Sequence, residues 1–272
     1  MNNWNWTLFG VLVAGGALGA VAIIPYAFAI SRDRLAQLPL PPRVLALAQF
    51  AQALVLTALA AGLGLLAARP IGLGAPVLEA LLAGEPVSDL GPMSLLAVGA
   101  GVAAGAVIVI LQVGVVYRVA PELRAKSVRI PLWKRFIAGF YGGINEEILM
   151  RLGVLSGAAW VLSRLWPGAE GALAPGVFWA ANLLAALVFG VGHLGAAASL
   201  TRLTPAVIGL VLVLNGIGGV VFGWLYGQYG LLAAMIAHFS ADMVLHVITP
   251  FLLRSDRGAQ DAAEEQPSLA SA

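Results

Sequence analysis

Ionisable side chains are scarce in the long apolar stretches of this 272-residue chain, and those that occur gather in three places. Glu146, Glu147 and Arg151 interrupt one stretch, His193 a second, and His238, Asp242 and His246 a third. All three histidines of the chain are in this set. An ionisable group inside a bilayer costs about 2.5–3.5 kcal/mol on insertion scales, so each of these needs a partner or a task. The types present suit amide hydrolysis or the movement of protons. Carboxylates and imidazoles can take a proton from water, an arginine can neutralise a carboxylate, and imidazole N–H groups can meet a developing oxyanion.

Spacing divides the roles. On a helix Glu147 and Arg151 lie four apart and share a face, which predicts an ion pair. Glu146 points about 100° away from Glu147 on α-helical geometry, which leaves one carboxylate neutralised and the other free to act as a general base. The bland alternative is a structural charge network between helices. His193 closes the segment Phe189-Gly190-Val191-Gly192-His193 and serves either packing or chemistry. Asn182, eleven residues earlier and near the same face, either lines a cavity or hydrogen-bonds between helices. His238, Asp242 and His246 repeat every four residues and stack along one face, where an aspartate can orient a histidine ring or share an ion with it. His246 lies nearest the helix end and reads as a snorkelling or Asp-paired residue.

The elements that position these groups are membrane helices. Hydrophobic residues make up 60% of the chain and charged residues 10%, with a mean hydropathy of +0.93, against about 25% charged in soluble domains. Runs long enough to cross a hydrocarbon core follow one another at roughly 8–30, 44–67, 93–117, 136–163, 175–197, 205–226 and 230–253. The fold class is therefore all-α, a polytopic transmembrane helical bundle of about seven spans, with an eighth to consider at Ile71 to Leu82. That stretch of about 12 residues suits an interfacial or re-entrant helix better than a span. The 33 glycines fit the small-residue contacts through which membrane helices approach. No inverted repeat of the transporter kind is visible.

Loop charges test the count. Arg32, Arg34 and Arg43 stand against Asp33 in the first loop, and Arg118, Arg124, Lys126, Arg129, Lys134 and Arg135 against Glu122 in the third. Arg202 follows the fifth span, and Arg254 and Arg257 the last. The alternate loops hold Arg69 with Glu79, Glu85 and Asp89, then Arg164 with Glu170. Basic loops fall on every second side, which predicts an outside N-terminus and a cytoplasmic C-terminus. Leu8 to Ile30 reads as a retained first span, because Arg32 and Arg34 follow it where a secretory signal would carry its charge in front. Trp4 and Trp6 read as interfacial anchors. The tail from Arg254, with Asp261, Glu264, Glu265 and Pro267, reads as disordered. There are no cysteines, which removes disulfides, thiolate metal sites and a cysteine nucleophile. The pI near 9.2 comes from loop residues and not from a basic stripe with aromatics, so nucleic acid is not an expected partner.

Taken in order on three apolar helices, the pieces read E-E-x-x-x-R, F-x-x-x-H and H-x-x-x-D. This set resembles the CAAX protease and bacteriocin-processing (CPBP, or Abi) family, which includes the type II CAAX prenyl endopeptidases, over roughly residues 133–250. The resemblance implies an intramembrane endopeptidase in a prokaryotic cell membrane. It divides the chain into N-terminal helices without a recognised motif (1–132), a catalytic transmembrane core (133–253) and the polar tail (254–272). It implies that Glu146 is the catalytic glutamate, completed by Glu147 and Arg151, and that His193 works with it on a water molecule. It gives His238 and Asp242 to the oxyanion or to a metal, family members carrying Asp or Asn at the last position. Two chemistries stay open: water activated by Glu146 and His193 with no cofactor, or a zinc ion held among Glu146, His193, His238 and Asp242. No H-E-x-x-H is present, which favours the first. The expected partners are the lipid bilayer and a peptide or protein substrate, prenylated CAAX-type or bacteriocin-like. An ion- or proton-coupled transporter, and a non-catalytic immunity or scaffold protein, are the competing readings.

Overall fold

A computed structural model describes residues 4–120, 130–169 and 172–251. Among the described residues there are no strands, and seven helices are long and apolar enough to cross a membrane. They are α1 (Trp6–Ile30), α2 (Pro42–Ile71), α4 (Leu90–Val116), α5 (Leu132–Leu165), α6 (Pro175–Leu200), α7 (Pro205–Tyr229) and α8 (Leu231–Phe251). The stretch weighed as an eighth span contributes only α3 (Pro76–Ala83), two turns long. The protein is an integral, multi-pass membrane protein. The polar tail from Arg254, and Glu122, Arg124, Lys126, Arg129 and Glu170 of the loop-charge argument, lie outside the described residues.

Local chemistry sets the helix starts. Proline opens α2, α3, α6 and α7 at the first turn, where its missing N–H has no intrahelical partner to lose. Asn5 caps α1 by accepting from the Leu8 amide at 2.9 Å, and Thr204 caps α7 by accepting from the Val207 amide at 3.3 Å. The single-residue joint between α7 and α8 is Gly230, whose φ of 82° lies in the region glycine tolerates. The Leu231 amide then donates to the Gly74 carbonyl at 3.0 Å, so the segment before α3 pins that joint.

Small residues set how closely the spans approach. A Cβ on Gly101 of α4 would strike the Ala237 carbonyl of α8, and one on Gly64 of α2 the Leu152 carbonyl of α5. Gly219 of α7 lies against Ala186 of α6 in the same way. Lipid tails are as apolar as leucine, so close van der Waals packing and interhelical hydrogen bonds supply the association. Leu8, Leu12, Ile148, Leu152, Leu155, Leu225 and Leu231 fill the centre, while Leu18, Leu47, Leu95 and Ile110 face outward. The motif-free helices are part of this core: α1 and α2 pack on α5, and α4 packs on α8.

One departure from regular helix bears on the site. Helix α5 is α-helical from Leu132 to Phe140, widens to π geometry over Tyr141–Glu146 and Ile148–Leu155, and returns to α from Ser156. Helix α8 widens likewise over Met243–Ile248, just past Asp242. Such widened turns recur at functional sites.

Candidate active site

The ion pair expected from spacing is present. Arg151 Nε donates to Glu147 Oε2 at 3.0 Å and Nη2 donates to Oε1 at 3.4 Å, with both side chains fully buried. The guanidinium also lies 5.5 Å from the Phe189 ring centre and 5.9 Å from that of Phe222, so two aromatic faces from α6 and α7 flank it. Its Nη1 has no hydrogen-bond partner among the described residues, and the ring faces are its neighbours instead.

Glu147 holds more than the arginine. Its Oε1 lies 2.7 Å from Nδ1 of His238, across from α5 to α8. A carboxylate paired with arginine only accepts, so Nδ1 carries the proton and donates. Phe222 stacks on the His238 ring at 4.7 Å and 21°, and the edge of Phe189 meets it at 5.6 Å. The imidazole is thereby fixed in tautomer and plane, with Nε2 aimed at the opposite side.

That side is where the free carboxylates converge. Nε2 of His238 lies 3.6 Å from Glu146 Oε2 and 3.9 Å from Asp242 Oδ1. Glu146 is the more open of the adjacent pair, 22% exposed against 0% for Glu147. Regular α geometry would turn Glu146 about 100° away from Glu147. Here both reach the same imidazole, one at each ring nitrogen. The widened turns of α5 account for the difference, because more residues per turn leave a smaller angle between neighbours. Gly142 supplies the space: a Cβ there would strike Asp242 Oδ2 and come within 3.1 Å of His238 Nε2.

His193 stands at the edge of this group. Its Nδ1 donates to the Phe189 carbonyl at 2.9 Å, since a carbonyl can only accept, and in the neutral ring Nε2 is then the acceptor. The ring packs on Phe189 at 4.6 Å, and Phe189 in turn meets His238. Helix rise from the sequence places His193 about 10 Å toward one face from the other site groups; in the fold the Phe189 ring packs against both His193 and His238. On the other flank, His246 Nε2 lies 3.7 Å from Asp242 Oδ1, the pairing foreseen for it, and its ring meets Tyr26 of α1 at 6.2 Å.

Sequence spacing offers Asp242 to orient His238 or to share an ion with it, but the ring is held by Glu147 of α5, a partner that helical periodicity within α8 cannot reveal. The roles of Phe222 and Gly142 likewise depend on interhelical neighbours. Asn145, immediately before the first motif, has no signal of its own. It is buried and donates to the Gly16 carbonyl at 2.8 Å and to Thr57 Oγ1 at 3.0 Å, tying α5 to α1 and α2. Asn182 takes the interhelical option, donating to the Val220 carbonyl at 3.1 Å.

A zinc centre needs three or four ligands grouped around one ion. Among the described residues no three His, Asp or Glu side chains are grouped to hold one ion. The Nδ1 atoms of His193 and His238 are engaged as donors, which leaves only their Nε2 atoms to offer a metal, and Glu147 is committed to Arg151 and His238. The arrangement does not fit a zinc centre as it stands.

Residues 128–244 match the family model described as Type II CAAX prenyl endopeptidase Rce1-like. No curated protein and no solved structure matches the chain. The matched segment contains Glu146, Glu147, Arg151, His193, His238 and Asp242, and leaves out His246 and the first three spans. The resemblance carried by the three motifs is thus a match, over this segment, to a family of CAAX-processing membrane proteases.

Proposed function

We propose that the protein is an intramembrane endopeptidase that hydrolyses peptide bonds with water activated by Glu146 and His193, and that His238, held by Glu147 and flanked by Asp242, receives the oxyanion. The observation that carries this reading is the fixed His238 ring, with Nδ1 on Glu147 and Nε2 facing the open carboxylate of Glu146.

The steps follow from the proton positions. Glu146 takes a proton from water as the water oxygen attacks the carbonyl carbon, with the bare Nε2 of His193 as the second acceptor for that water. The carbonyl π pair moves to oxygen, and the His238 ring, which faces the Glu146 and Asp242 carboxylates through Nε2, donates to it from that nitrogen in its protonated form. The pair then returns, the C–N bond breaks, and the amine leaves with the proton that Glu146 had taken. Glu147 and Arg151 do not touch the reacting atoms in this scheme. They keep the His238 ring in place, as a buried carboxylate does for a catalytic histidine in a hydrolytic triad. Positive-inside loops put the basic ends of the helices in the cytoplasm, with the N-terminus outside.

Substrates of CAAX type with a prenylated cysteine are the first class to offer. The test is cleavage of quenched fluorescent peptides, farnesylated CAAX peptides among them, by the purified protein in detergent. Parent, Glu146→Gln and His193→Ala are run with and without chelator. Cleavage lost in both variants and indifferent to chelator supports the scheme. Cleavage that survives both substitutions overturns the site assignment, and cleavage abolished by chelator overturns the metal-free chemistry.

A further inference from the structure

The helices alternate in direction, so the ends of α1, α4, α6 and α8 lie with the starts of α2, α5 and α7. Among the described residues this end carries Arg32, Arg34, Arg43, Arg118, Lys134, Arg135 and Arg202 against Asp33 alone. The opposite end carries Arg69 and Arg164 against Glu79, Glu85 and Asp89. Between the ends of α1 and α6 and the start of α5, at the basic end, lies a cavity of about 550 Å³. Its lining is graded. Phe28 and Ile130 provide apolar wall, while Arg32, Lys134 and Ser199 provide cationic and hydroxyl groups, with Asp33 as the one acid. The wall is stapled across helices: Arg34 Nη1 donates to Ser199 Oγ at 3.3 Å, and Ser31 Oγ lies 3.5 Å from the same oxygen. Arg34 adds a third cation at the rim. Trp133, beside Lys134, is 57% exposed, as expected of an interfacial tryptophan at headgroup depth.

We propose that this cavity binds the headgroup phosphate of an anionic phospholipid, with Arg32 and Lys134 as its cationic ligands. Three cations against one carboxylate select a negative charge, and a cavity of this size is too large for an inorganic anion alone. Its position at the ends of the spans and its mixed apolar and cationic lining suit the headgroup and glycerol end of a phospholipid. Basic clefts between transmembrane helices take anionic lipid headgroups by this chemistry. A substrate carboxylate is the less suitable occupant. Lys134 precedes Glu146 by twelve residues on α5, about 18 Å of helix, which an extended peptide covers only with five or more residues beyond the cut. The proposal is independent of the peptidase reading, because its readout is lipid retention.

Native mass spectrometry of the full chain, released from nanodiscs of equal phosphatidylglycerol and phosphatidylcholine, measures it. The expected result is one retained phosphatidylglycerol per chain, favoured at least fivefold over phosphatidylcholine and not displaced by millimolar inorganic phosphate. Arg32→Gln/Lys134→Gln loses that preference. Arg43→Gln, at the same end but outside the cavity lining, keeps it. Ala29→Trp, which fills the cavity without changing its charge, loses it as well and guards against a folding defect in the double variant. Equal retention of both lipids, preference that survives in the double variant and in Ala29→Trp, or displacement by inorganic phosphate or by a peptide with a free carboxylate would each overturn the proposal.

Discussion

Glu147 Oε1 and His238 Nδ1 meet at 2.7 Å across 91 residues of chain, and this contact joins the first motif to the third. It makes Glu147 the hinge of the buried site, between an arginine on its own helix and an imidazole on another. The adjacent Glu146 has no such commitment. Neutralising Glu146 is therefore expected to act differently from removing the cation that Glu147 needs.

Glu146→Gln is expected to fold with stability within about 1 kcal/mol of the parent and to lose peptidase activity by at least about a hundredfold, the usual scale for a general base. Arg151→Leu leaves Glu147 buried without its cation, for which about 3–5 kcal/mol of stability is expected to be lost. Thermal unfolding in detergent beside a cleavage assay separates them. Equal loss of stability in both variants would contradict the division of roles.

Phe222 contributes a ring face to His238 and to Arg151 and no proton to the reaction. With Phe222→Leu, kcat is expected to fall roughly ten- to a hundredfold through misplacement of the imidazole, with KM within about twofold. A change confined to KM would assign Phe222 to substrate binding instead.

Glycine substitutions distinguish packing from site geometry. In Gly101→Ala the new methyl meets the Ala237 carbonyl, and about 1–3 kcal/mol of destabilisation is expected from overpacking. Gly99→Ala, with nothing within 4 Å of its Cβ, is expected to be neutral or slightly stabilising. Gly142→Ala pushes on Asp242 and His238 and is expected to remove activity before it removes folding. Activity and melting temperature, measured on the three variants together, check all of these.

Metal content offers an independent check. Purified protein is expected to carry substoichiometric zinc by elemental analysis, and phenanthroline is expected to leave its turnover unchanged. A stoichiometric metal whose removal stops cleavage would overturn the metal-free scheme.

The spans were legible because each is a continuous apolar run, bounded by charged loops everywhere but at the Gly230 joint, and the seven observed helices differ from the expected ones mainly at their ends. Glu147 with Arg151, and His246 with Asp242, were legible because partners four apart on one helix meet by periodicity alone. The contact of Glu147 with His238 was not, since it depends on how α5 and α8 cross. The convergence of Glu146 and Glu147 on one ring was hidden for a different reason. It requires a helix that departs from 3.6 residues per turn, and side-chain patterning carries no mark of that departure. Asn145 shows the same limit: in the sequence it is one polar residue beside two acids, and only the approach of α1 and α2 reveals its two bonds.

The widened stretch from Tyr141 to Leu155 also makes the site sensitive to chain length in a way that point substitutions do not probe. Deleting one residue from the stretch lets the backbone relax to tighter coiling and rotates everything after the cut relative to everything before it. A deletion before Glu146 shifts both glutamates against Phe136 and Phe140; one after Arg151 shifts neither, but resets Ser156 against Tyr226. Insertions and deletions should therefore be excluded from the first part and tolerated better past Ser156, so that the spacing itself, and not only the identity of its residues, is under constraint.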